Sequence, residues 1–174
     1  MMSTLILLRV ALVVLSLVGV IDAFAGPIVL PTGWRLPTQE ELSDDWRGGG
    51  SDKRAEITGD FNGDGKTDRA VLLMSKKNHA LGLFVFFVRS NGTHWHKLDE
   101  ISDSRAIHAM GIEVVSRGKY KTACGKGYFP CKSGEPEIIQ SEFDIINYFK
   151  TESANRYIFL DKHSMSFKKV WMSD

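Results

Sequence analysis

Apolar residues in this chain gather in short runs rather than in helical stripes. Residues 70–74 form a continuous apolar run that is partly β-branched, and residues 81–88 form a longer one. Runs of this length read as buried strands. Residues 55–58 alternate apolar and polar positions, the period of two that a half-buried strand shows. Asn91-Gly92 is the dipeptide of a two-residue hairpin, with residues 93–98 as its return strand. Residues 112–115 supply another strand. Four more aromatic or β-branched runs follow at 138–140, 143–150, 156–160 and 167–171. Short turns separate them, the last at 161–164, which predicts an antiparallel meander.

One stretch carries capping and facing signals for a helix, while residues 99–110, polar with scattered apolar positions, read as a loop or a short helix. Thr38-Gln39-Glu40-Glu41 is a capping box, and Leu42 and Trp46 stand four residues apart on one helical face. A short helix is expected from Thr38 to about Trp46, ended by the Gly48-Gly49-Gly50 run. The pattern as a whole predicts a mostly β protein with one short N-terminal helix. It is a single antiparallel domain of sandwich, open-barrel or propeller-fragment type.

The first residues read as targeting rather than fold. Arg9 gives a small positive region, residues 10–20 are apolar, and Ala23-Phe24-Ala25 is a cleavage signal. No cysteine comes directly after the cleavage signal, so this is not a lipoprotein signal. The alternative is an N-terminal anchor, but the apolar run is short for a membrane span and Asp22 interrupts it. The expectation is a signal peptide over 1–25 and a β-rich domain over 26–174, periplasmic or secreted, with no membrane segment after cleavage. A net charge of +1 with 43% hydrophobic residues offers no basic excess for nucleic acid. In an exported protein the two cysteines, Cys124 and Cys131, are expected to pair as one disulfide. A metal site at this pair would need further soft ligands, and none has the spacing.

The chemistry concentrates in one loop. From Asp60 the chain reads Asp-Phe-Asn-Gly-Asp-Gly-Lys-Thr-Asp, with side-chain oxygens at loop positions 1, 3, 5 and 9 and glycine at position 6. Asp60, Asn62, Asp64 and Asp68, with the carbonyl of Lys66, are oxygen donors suited to calcium. The competing reading is a turn without metal, since Asp, Asn and Gly make turns for their own reasons. An EF-hand is excluded, because position 12 is Val71 rather than Glu and strands flank the loop. The segment 59–73 resembles the calcium loop of the FG-GAP and VCBS repeats of integrin-like propellers, here in one copy. That resemblance implies calcium held by Asp60, Asn62, Asp64, the Lys66 carbonyl and Asp68.

Other candidates are plainer. His94 and His96 fall on one strand face with Trp95 on the other. A metal site could begin at the two histidines, but an exposed polar face is the favoured reading, since Trp95 takes the opposite side. Glu113, Glu135 and Glu152 are acids that a hydrolase of an envelope polymer could use, but no G-x-S-x-G, H-E-x-x-H or P-loop accompanies them. The expected function is a calcium-binding, non-catalytic interaction module of inhibitor or immunity type, whose partner is another exported or envelope protein. The alternatives are a structural surface module and an envelope-polymer hydrolase.

The signal reading fixes a measurable end. N-terminal sequencing of exported material should begin at Gly26, and an intact Met1 on membrane-bound protein would show an anchor instead.

Overall fold

A computed structural model describes residues 28–50, 53–89 and 92–173. The signal-peptide reading over 1–25 and Asn91 of the hairpin dipeptide lie outside the described residues. The described strands are β1 (Trp34–Arg35), β2 (Glu56–Gly59), β3 (Asp68–Ser75), β4 (Leu81–Arg89), β5 (Gly92–Ile101), β6 (Met110–Val115), β7 (Gly118–Lys121), β8 (Ile138–Ser141), β9 (Ile145–Lys150), β10 (Asn155–Asp161) and β11 (Ser166–Trp171). All pairings are antiparallel.

Two sheets carry the fold. The first runs β1-β3-β4-β5, with β2 also paired to β3; the second runs β11-β10-β9-β6. Alternation decides which side chains meet between them. Ala70, Leu72, Met74, Leu83, Val85 and Phe87 of the first sheet share a core with Ile112, Ile146, Tyr148 and Ile158 of the second. Each large apolar side chain taken out of water there contributes about 1.5–3 kcal/mol.

The continuous apolar runs of β3 and β4 have a second cause. Their other face, Val71, Leu73, Phe84 and Phe86, lies under Ile28, Leu30 and Trp34 of the N-terminal arm. Burial on both faces removes the polar half of the alternation. The second sheet is covered likewise. Ile145, Phe159 and Met172 on its outer face pack with Ile139 and Tyr120 from the β7–β8 hairpin. The strand 138–141 therefore leaves the expected four-strand meander and pairs with β7, so that only β9, β10 and β11 form it. Cys124 and Cys131 lie in the loop of that hairpin with their sulfurs 2.01 Å apart, at disulfide distance.

The expected helix at 38–46 is not an α-helix. The capping box forms, Glu41 N–H donating to Thr38 Oγ1 at 3.2 Å and Thr38 N–H donating to Glu41 Oε2 at 2.8 Å. After one turn Asp44 adopts an extended backbone, and only a three-residue 3₁₀ turn remains at Asp45–Arg47. Arg35 supplies a competing pull, holding Glu41 through two hydrogen bonds of 2.7 Å. The segment is then fixed by a residue that periodicity does not mark. The Arg47 guanidinium is fully buried and donates to the carbonyls of Lys53 (2.9 Å), Met110 (3.0 Å) and Ile107.

The sheets do not close into a barrel. At one side Ile112 N–H donates to Arg54 O at 2.9 Å, linking β6 to the lead-in of β2. At the other side β5 and β11 share no backbone ladder. They are joined by side chains. The register shifts at Leu83/Phe84, so Leu83 faces Asp99 while Phe84 faces Lys97, leaving Leu98 as the extra residue. Such a bulge re-aims the side chains beyond it, and Asp99 reaches across to the second sheet. It accepts from Arg156 Nη2 at 2.9 Å and from Lys169 Nζ at 2.7 Å, with 14% of its side chain exposed. Phe87 and Phe167 also stack across the two sheets, with centroids 6.2 Å apart.

Asp99→Ala leaves two cations across the seam without their shared partner. Urea unfolding should show a loss of about 2 kcal/mol, most of it from the unmatched charges. Stability equal to wild type would remove the cross-seam bridge from the account.

Candidate functional site: the Asp60–Asp68 loop

The loop leaves the end of β2 and returns at the start of β3, where Gly59 and Asp68 are paired. Within it the expected donors organise the backbone. Asp60 Oδ1 accepts the N–H of Gly63 at 2.7 Å, and its Oδ2 accepts that of Gly65 at 3.1 Å. Asn62 Oδ1 accepts Asp64 N–H at 2.8 Å, and Asp64 Oδ1 accepts Lys66 N–H at 2.9 Å. Each carboxylate or amide turns back on the chain two or more residues ahead, as short Asx side chains do. Gly63 and Gly65 both have positive φ, 78° and 77°. At Gly63 a Cβ would also lie 2.0 Å from the Phe143 ring, so glycine is required there for space as well as backbone.

Asp68 closes the loop from beneath. It has no exposed surface, and its Oδ2 accepts Phe61 N–H at 3.0 Å. Asn62 Nδ2 stands 3.4 Å from its Oδ1. Burial pushes the Asp68 carboxyl up to about 7; the Phe61 hydrogen bond opposes this, and the nearby charges of Asp64 and Asp60 add to it. Asp64 and Lys66 lie at the solvent side, their charged ends 4.0 Å apart.

One partner was not marked by the sequence pattern. Asp144, just before β9 of the opposite sheet, accepts Asp60 N–H through Oδ2 at 3.0 Å. Its own N–H donates to Asp60 O at 3.1 Å. The loop is thus docked on the second sheet through Phe143 and Asp144. An acid in the short connection from β8 to β9, 84 positions from its partner, leaves no periodic signal.

The five expected donors therefore share one loop, with Asp68 at its base, Asp60 and Asn62 above it, and Asp64 and Lys66 toward solvent. Among the described residues no three His, Cys, Asp or Glu side chains form a group that could hold a metal. The carboxylate oxygens of the loop are instead engaged with backbone N–H groups. What fits a cation is the donor chemistry: a desolvated carboxylate under the field of two others, although the Asn62 amide turns its nitrogen to Asp68 and its oxygen to Asp64 N–H.

The other candidates are dispersed. His96 packs edge-on against Phe87, and Trp95 packs against Phe84 on the other face of β5. Glu113 meets Arg54 at 2.7 Å, Glu135 accepts Lys132 N–H at 3.0 Å in the disulfide loop, and Glu152 sits in the β9–β10 turn with φ of 53°. Comparison of the chain with known protein families, with curated proteins and with solved structures gives no match. No helix among the described residues is long and apolar enough to cross a membrane.

The sign of the pH dependence without metal is set by Asp68. Its carboxyl holds a proton more tightly in the folded protein than in the unfolded chain. The stability this contributes is whole below the ordinary carboxylate range and is lost as pH rises through about 7. In chelator, stability should fall between about pH 4 and about pH 7, by on the order of 4 kcal/mol at most. Asp68→Asn should flatten the profile, and a wild-type profile equally flat would contradict the raised value.

Proposed function

We propose that this is an exported, calcium-braced β module that acts by binding another exported or envelope protein, without catalysis, in the manner of an inhibitor or immunity partner. The observation that carries the calcium part is the closure of the loop by a buried Asp68 beneath Asp60 and Asp64. A cation taken up by Asp60, Asn62, Asp64, the Lys66 carbonyl and Asp68 would offset that unfavourable field. Drawing Asp64 inward would exchange its hydrogen bond to Lys66 N–H for the ion. The donor set is all oxygen and lacks a bidentate glutamate, which suits calcium held weakly, on the order of 10⁻⁴ M.

Two features support the interaction part. Strand β5 is paired on one side only, and such an edge accepts a strand from another chain. It also carries Trp95, 46% exposed. Cysteines at disulfide distance are compatible with an oxidising compartment. Export itself rests on the sequence reading of residues 1–25.

At about 1 mM calcium, roughly tenfold above the expected dissociation constant, linkage gives about 1.4 kcal/mol. The melting temperature should rise by several degrees, and chelation should reverse the rise. Asp64→Ala should abolish the response, whereas Lys66→Ala should keep it because only its carbonyl is used. Magnesium, which demands a smaller octahedral shell, should substitute poorly. Calorimetric curves identical with calcium and with chelator would leave the loop as a turn.

A further inference from the structure

A second concave site lies at the open seam between the two sheets, where β5 and β11 share no backbone ladder. Its volume is about 1160 Å³, above the range of roughly 300–1,000 Å³ of small-ligand pockets. Asn62, Asp64 and Lys66 of the Asp60–Asp68 loop contribute to its wall. The groove is otherwise built from β4, β5, β10, β11 and the turn between the last two.

Strand register fixes which side chains reach it. Val85 and Phe87 lie on the core face of β4, so Arg89 takes the same side, and His96 stands opposite Val85 on β5. On β11, Lys169 is opposite the core residue Ile158, and Phe167 is opposite Leu160. Phe87, Arg89, His96, Phe167 and Lys169 all line the groove. Buried Phe87, Leu98 and Leu160, with Phe167 stacked on Phe87, form its apolar floor. Asp64 is the one acid among the lining residues, against Lys66, Arg89 and Lys169. Lys97 is left out of this balance, because it sits on the other face with its amine 5.7 Å from the Trp34 ring. Lys66 stands 4.0 Å from Asp64, and Lys169 is held by Asp99 at 2.7 Å. Arg89 is exposed and its side chain makes no ion pair or hydrogen bond among the described residues.

Both sides of the groove are sheet edges. Strand β5 pairs only with β4 and β11 only with β10, and residues 92–97 and 168–169 are exposed. A row of edge N–H and C=O groups is complemented by an extended peptide backbone, which a sugar, a lipid tail or a small anion does not supply. The excess of cations favours carboxylates on that peptide. The bulge at Leu98 and the Asp99 bridge interrupt the edge beyond residue 97. We propose that the seam binds an extended acidic segment of another protein, its backbone laddered on residues 92–97 of β5. One inward side chain of the segment is apolar and lies over Phe87 and Phe167, and an inward carboxylate two positions away meets Arg89. The proposal rests on the protein-binding reading, to which it gives a place and a partner chemistry, and it does not require calcium.

The test is titration of the full exported protein, in chelator, with millimolar acetyl-Glu-Thr-Val-Thr-Glu-amide and separately with the same peptide carrying Lys for Glu, followed by backbone amide NMR. The acidic peptide should shift residues 92–97 together with Arg89 and residues 166–169, and the basic one should not. Arg89→Gln should weaken binding by about threefold or more with a melting curve like that of wild type. Lys168→Gln should leave binding unchanged, because Lys168 stands opposite Phe159 on the outer face. Equal weakening in both variants would mark a general surface charge and overturn the proposal, as would shifts located elsewhere or the same shifts from inorganic phosphate. Equal or tighter binding of the basic peptide along residues 92–97 would sink the acidic partner but keep the protein-binding reading. No shifts with either peptide would sink the proposal and remove the β5 edge as support for that reading.

Discussion

A carboxylate with no access to water sits where the first sheet begins. Asp68 starts β3, the strand that pairs with β1, β2 and β4, and it also holds the backbone of the loop that precedes it. An ionised carboxylate placed there needs hydrogen bonds or a counter-charge. The hydrogen bonds found are those from the backbone of Phe61 and of Val88 and, at longer range, the Asn62 amide. No basic side chain is within salt-bridge distance of it among the described residues. The local conflict leaves two resolutions, a proton or a cation, and each couples the loop to its surroundings in a different way.

Much of the sheet structure was legible because burial imposes a period. The strands at 70–74, 81–88, 112–115 and 156–160 appear where the runs predict them, extended by one to three residues at their ends. The apolar runs could not say what covers the second face of β3 and β4. That cover is the N-terminal arm around Trp34, an irregular segment without period. The failure at 38–46 is also physical. A capping box is a local signal and it does form, but Asp44 departs from helical geometry and Arg47 is committed to carbonyls far along the chain. Long-range partners outweighed local propensity.

The loop's own donors were legible in the spacing, since each side chain is used within a few residues. Its setting was not. Asp144 and Phe143 reach it from the opposite sheet, and Gly63 is fitted to the Phe143 ring rather than merely to a turn. The bulge at Leu98 was hidden for a similar reason. Alternation alone places Leu98 and Asp99 on opposite faces, whereas the inserted residue lets Leu98 join the core while Asp99 crosses the seam. Both devices join the two sheets. A change in the loop is therefore transmitted to β9 through Asp144, not confined to the turn.

Calcium titration by calorimetry at about pH 6.5, repeated in buffers of different ionisation enthalpy, addresses this account most directly. The prediction is one site per chain, with protons released on binding because the ion displaces the proton held by Asp68. Asp68→Asn should bind more weakly and release none. Binding without proton release, affinity unchanged in Asp68→Asn, or no binding at millimolar calcium would contradict it.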